Sequence, residues 1–194
     1  MCGKSRNVCN ILLDRLGISP DVQAFFAHYH DHLRFSNGEH FTERFHRVPI
    51  TENSWIAGIP ELASDIFICG SAMDAIAFNR VTPAFAFVAT GALPSIPQIE
   101  YLPKRRYHLL FTNDVLGGAC DITIACWLRK QPVKISLIEQ HFEVNFKNRA
   151  FHLERPSLHA LEKASGYRFG IRTHKPKNAL TWISSLSPRL SSPF

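Results

Sequence analysis

The sequence predicts an α/β fold built on a parallel sheet flanked by helices, and three features carry that prediction. Ile66-Phe67-Ile68-Cys69 and Ala84-Phe85-Ala86-Phe87-Val88-Ala89 are short, continuous apolar runs, as expected of strands covered on both faces. Helical patterns lie between and after such runs, the alternation that a parallel sheet requires. At 194 residues, 45% hydrophobic and 20% charged, the chain can bury a core of this kind.

Taken in order, Ile11, Leu12, Leu13 and Leu16 form an apolar helical stripe that Gly17 would end. Ser19-Pro20 supplies a cap and a first-turn proline for a second helix through Val22, Phe25 and Phe26 to about His32, with Asp21 well placed at its start. Asn37-Gly38 is a turn, and Phe41, Phe45, Val48 and Ile50 surround a segment suited to a small strand pair. Gly70 ends the first buried strand, and Ser71 with Asp74 three residues on resembles a capping box for a helix carrying Ala72, Ala75, Ile76 and Phe78. The second strand ends at Thr90-Gly91. A proline-rich connection leads to a third, Tyr107 to Phe111, and Gly117-Gly118 opens a helix from about Ala119 to Arg129. Val133 to Ile138 is expected as a fourth strand. Two late helices follow, one between Pro156 and Gly166 and one over 178–186, before a frayed tail. The expected organisation is a helical and small β region over 1–60, an α/β core over 61–155, and a basic helical extension over 156–194.

Composition narrows the function classes. The longest apolar run, Thr82 to Leu93, is broken by Pro83 and Gly91 and is shorter than the roughly 20 residues of a membrane span. The start shows no export signal, so a cytoplasmic location is expected. Five cysteines, Cys2, Cys9, Cys69, Cys120 and Cys126, are odd in number and lack a CxxC pair, which argues against a disulfide scaffold or zinc knuckle. The net charge is +6, and from Pro156 onward six Lys or Arg stand against the single acid Glu162. Lys104, Arg105 and Arg106 form a second basic knot. Concentrated positive charge suits a phosphate backbone, and equally suits a plain solvated face.

In open parallel sheets, sites form beyond the carboxyl ends of the strands. Two such ends carry acids. Asp74 follows the first strand, and Asn113 and Asp114 follow the third, so the three would meet over one cleft. The bland reading is a first-turn helix residue for Asp74 and an Asx-turn for Asn113-Asp114. Thr90-Gly91 would either approach a phosphate or form an ordinary loop. His28 and His32 share a helix face, an arrangement suited to zinc if His40 or His46 came near, and more commonly a polar face. Ser71 lacks the second glycine of a nucleophile elbow.

Two of these segments resemble the Toprim family of primases, topoisomerases, related nucleases and primase-like proteins of plasmids, phages and mobile elements. ICGSAMDAIAF, from Ile68 to Phe78, resembles its first motif, a strand ending in Glu-Gly before a helix with Asp-Ala. FTNDVLGGA, from Phe111 to Ala119, resembles its second, a strand ending in Asp-x-Asp before a helix-opening glycine. LLDRLGI, from Leu12 to Ile18, is similar to a helix that precedes such domains. The resemblance implies a Rossmann-like sheet, a Glu as general acid or base, and an Asp-x-Asp pair holding magnesium. In this chain the Glu position falls on Gly70 or Cys69 and the first Asp on Thr112. Only Asp114 is kept as a metal ligand, with Asp74 as a supporting acid and Lys147-Asn148 at a later Lys-Asp element.

The resulting expectation is a largely non-catalytic protein of this type without a cofactor, binding nucleic acid or a nucleic-acid-processing partner. Arg105, Arg106, Lys175 and Lys177 are the expected phosphate contacts, which would carry no base preference. The alternative is a Mg²⁺-dependent nuclease or primase-like phosphoryl-transfer enzyme using Asp74, Asn113 and Asp114, with Asp65, Glu139 or Glu143 replacing a missing acid. A structural subunit facing an acidic protein is the third class.

Overall fold

Two sheets divide the strands of the computed structural model, which describes residues 16–27, 54–84, 86–91 and 94–186. The expected first helix, the histidine pair, the small strand pair around Phe41 and the tail lie outside the described residues. The elements in chain order are α1 (Pro20–Ala27), β1 (Trp55–Gly58), β2 (Asp65–Cys69), α2 (Ala72–Val81), β3 (Ala86–Ala89), a short 3₁₀ turn (Ile96–Gln98), β4 (Arg106–Leu109), α3 (Val115–Leu128), β5 (Val133–Ile138), β6 (His141–Phe146), β7 (Arg149–Leu153), α4 (Leu158–Ser165), β8 (Arg172–Thr173) and α5 (Trp182–Leu186). No helix among them is long and apolar enough to cross a membrane.

The larger sheet has the order β1-β3-β2-β4-β8. β2 is central and runs parallel to β3 and β4, β8 continues the parallel set beyond β4, and β1 closes the other edge antiparallel to β3. The apolar runs do what strands covered on both faces must. Ile66, Ile68, Ala86, Val88, Tyr107 and Leu109 join one core, while Phe67, Cys69, Phe87, Ala89 and Leu110 join the other. Phe26 of α1, Met73, Ile76 and Phe78 of α2, and Trp182 and Ile183 of α5 cover the second face.

The first face departs from the expectation of helices alone. Val133 to Ile138 does form a strand, but it does not extend the parallel sheet. It pairs with β6, and β6 with β7, in a separate antiparallel meander. Val144, Phe146 and Leu153 from this meander pack with Ile124 of α3 and Leu161 of α4 against the main sheet. Lys147-Asn148, expected at a family motif, is the two-residue hairpin turn between β6 and β7, with φ of 51° and 58°. The fourth parallel strand is β8, from the segment expected as a helical extension. The main sheet therefore draws strands from all three of the expected segments.

Local capping follows the sequence closely. The Ser71 hydroxyl accepts from the Asp74 amide at 3.1 Å and donates to its carboxylate at 3.0 Å, opening α2. Ser157 caps α4, and Gly166 ends it with φ of 72°. Gly117 is required for another reason: a Cβ there would collide with the Thr112 carbonyl, because α3 starts tight against the end of β4.

Candidate nucleic-acid interface

The carboxyl ends of β2 and β4 are adjacent, as the parallel pairing of Asp65–Ile68 with Arg106–Leu109 dictates. Asp74 follows the end of β2, Asn113 and Asp114 follow the end of β4, and all three are tied down. The buried Asp74 accepts from the Ser71 hydroxyl and, through its other oxygen, from the Ile183 amide at 3.0 Å. Asp114 is the N-cap of α3, accepting at 2.7 Å from both the Gly117 amide and the Thr112 hydroxyl. Burial pushes its pKa up, but those two donors and the Lys175 ammonium outweigh this and leave it below the ordinary value. The Asn113 amide donates to the Leu180 carbonyl at 2.8 Å and its side chain to the Pro176 carbonyl at 3.4 Å.

Asp74 and Asn113 are tied to the segment after β8, and Asp114 feels it only through the Lys175 charge. This segment leaves the sheet edge with the His174 amide on the Leu109 carbonyl at 2.8 Å and then crosses the ends of the strands as a strap. Lys175 sits at its centre. The ammonium bonds the Asp121 carboxylate at 2.7 Å and the carbonyls of Phe111 and Thr112 at 3.1 and 3.0 Å. Asp121 is only 2% exposed, and burial, partly offset by Lys175, raises its pKa to about 6. Lys175, expected as a phosphate contact, thus spends its three protons on internal acceptors.

The other expected basic residues divide. Arg105 donates to the carbonyls of Ala63 and Glu61, both at 2.9 Å, and of Lys104 at 3.1 Å, pinning the loop before β2. Lys177 is exposed on the strap. Arg106, 74% exposed, pairs with Asp65 at 2.8 Å and lines a pocket of about 400 Å³ at the edge of the sheet. Arg168 and Arg172 line the same pocket, with His108 and Glu162. Glu162 accepts from Arg168 at 3.4 Å and from the Phe169 amide at 2.8 Å, so two acids, Asp65 and Glu162, stand against three guanidinium groups.

A relay of hydrogen bonds backs this pocket. His108 Nε2 bonds Asp65 Oδ1 and His108 Nδ1 bonds His174 Nε2, both at 2.9 Å. A carboxylate only accepts, so Nε2–H of His108 points to Asp65 and, in neutral rings, Nδ1 accepts from His174. Asp65 is held down to about 2, first by the Ser64 hydroxyl, then by His108 and Arg106. Phe67 stacks on the His108 ring at 4.5 Å. Burial, then His108 and Arg172, lower the pKa of His174.

Sequence reasoning missed Arg168, Arg172, His108 and His174 as neighbours. One signal was present: Arg106 and His108 alternate with Tyr107 and Leu109, placing two basic residues on one face of a strand. The assembly from β8 and the strap had no local signal. Cys69, Cys120 and Cys126 are buried free thiols; burial pushes Cys120 to about 11 and Cys126 to about 12. Among the described residues, no three His, Cys, Asp or Glu side chains gather into a metal-binding group. No protein-family model, curated protein or solved structure matches the chain.

Proposed function

We propose that this chain is a Toprim-like protein that binds nucleic acid without cutting or copying it. The observation that carries the proposal is the strap. An internal ammonium, Lys175, lies among the Phe111 and Thr112 carbonyls and Asp121 beside Asp114, where the family resemblance would put a divalent ion. The donor set suits magnesium poorly: Asp114 is committed to capping α3, Asp74 to the Ile183 amide, and Gly70 and Thr112 offer no carboxylate. Hard divalent ions need several oxygen ligands, and a fixed cation beside them repels a second charge.

Phosphate binding has separate support. Arg106, Arg168 and Arg172 converge on one pocket, and guanidinium forks match phosphate oxygens well. Such contacts position a strand without reading its sequence.

Fluorescence anisotropy with labelled oligonucleotides at several salt concentrations tests this. Binding should weaken steeply between about 50 and 200 mM salt. Changing Arg106, Arg168 and Arg172 together to Gln should weaken it uniformly across sequences and flatten the salt slope by roughly one per lost phosphate contact. Strand cleavage in Mg²⁺ or Mn²⁺ that disappears in Asp114→Ala would overturn the non-catalytic reading. Absence of binding at low salt would remove the nucleic-acid reading altogether.

A further inference from the structure

We propose that the preferred ligand is single-stranded nucleic acid, with the arginine pocket taking phosphate and a second, aromatic pocket taking an unstacked base. This rests on the nucleic-acid reading above and adds the substrate class. The second pocket, of about 200 Å³, opens between the β6–β7 hairpin and the end of α4, lined by Lys147, Arg149, Phe151 and Tyr167. It pairs positive charge with aromatic surface, the combination by which proteins hold single strands: cations follow the backbone while rings stack on bases.

The two pockets share no lining residue but take consecutive residues of one segment. Tyr167 lines the aromatic pocket and its neighbour Arg168 lines the arginine pocket. Their Cα atoms are separated by about 3.8 Å, the span of one trans peptide. A strand crossing this point would meet a phosphate-binding group and a stacking ring in succession. Tyr167 is held in place by Phe169 and Phe146, with ring centroids at 4.8 and 5.4 Å. Exposed Lys147 lies over its ring at 3.9 Å, so a flexible surface side chain covers the face that a base would take. Arg168 is 80% exposed, and its bond to Glu162 at 3.4 Å leaves further N–H groups for a phosphate. A duplex hides its base faces inside the stack and would engage the arginines alone. Only a strand with splayed bases uses both pockets.

The test compares a labelled oligothymidylate of about 20 nucleotides with a duplex of the same length by anisotropy, at fixed low salt. The single strand is expected to bind at least about tenfold tighter. Tyr167→Leu should lose about tenfold on the single strand and nothing on the duplex, while Tyr167→Phe should bind like the parent. Arg168→Gln should weaken both ligands. Thermal melting checks that Tyr167→Leu is folded; if it is not, exposed Lys147→Glu gives the same readout, with selective loss of single-strand binding expected. Equal or tighter duplex binding, or a folded Tyr167→Leu protein and a Lys147→Glu protein that both bind the single strand like the parent, would overturn the inference and leave the broader nucleic-acid reading standing. Failure of both ligands to bind would overturn that reading as well.

Discussion

Replacing Lys175 by Met probes the strap directly. Met keeps the length and apolar stem of the side chain but removes the ammonium, stranding Asp121 with no counter-ion. The Asp121 side chain is 2% exposed, and its Oδ1 already lacks a hydrogen-bond partner. Breaking a buried pair from one side costs about 3–5 kcal/mol. The 27% exposure of Lys175 places the expected loss near the lower end of that range. The Phe111 and Thr112 carbonyls also lose a donor, at about 1 kcal/mol each where water does not replace it. The pH dependence fixes the cause. The folded-state pKa of Asp121 is raised from 3.8 to about 6, so it favours folding below 3.8 and loses that contribution as pH rises through 6. Removing Lys175 moves the folded value higher still. Urea denaturation should therefore show a deficit of about 4–5 kcal/mol near pH 7.5 that shrinks to about 1–2 kcal/mol near pH 5, where the stranded carboxyl is protonated. Asp121→Leu combined with Lys175→Met should recover most of the loss, since apolar groups of similar size replace such pairs at little cost. A deficit under 1 kcal/mol at neutral pH, or one unchanged on acidification, would refute the buried-pair account.

Two further outcomes are expected. Gly117→Ala should destabilise by at least about 1–3 kcal/mol by chemical denaturation, because its Cβ meets the Thr112 backbone rather than a side chain that can move aside. His174 has a depressed folded-state pKa, so its stabilising contribution is complete above 6.5 and is lost as pH falls through the folded value. Parent protein should accordingly lose that contribution as pH falls below 6.5, and His174→Gln should show a flatter profile over the same acid range.

The sequence by itself determined the local elements wherever a short pattern had one physical solution. Ile66 to Cys69 and Ala86 to Ala89 are apolar at every position, so they had to be covered on both faces. Ser71 with Asp74 and Gly166 are helix boundaries whose chemistry lies within a few residues, whereas α3 starts at Val115 under the Asp114 cap, ahead of the expected Ala119. That Asp74 and Asn113-Asp114 follow neighbouring strand ends came from the parallel order of β2 and β4. Tertiary structure decided what those residues do there. The strap comes from 174–183, far along the chain from β2 and β4, and no local periodicity in a run such as His174-Lys175-Pro176-Lys177 says where its ammonium will go. β5 shows the same limit: a strand's own residues fix its period, whereas the choice between extending one sheet and starting another depends on which edge is free. That edge is taken by β8, whose two residues are too few to leave a pattern, and with it arrive Arg172, His174 and Lys175. Charge could be counted from the sequence. Whether a charge faces water or a buried carboxylate was settled only by packing, because a long basic side chain reaches as readily inward as outward.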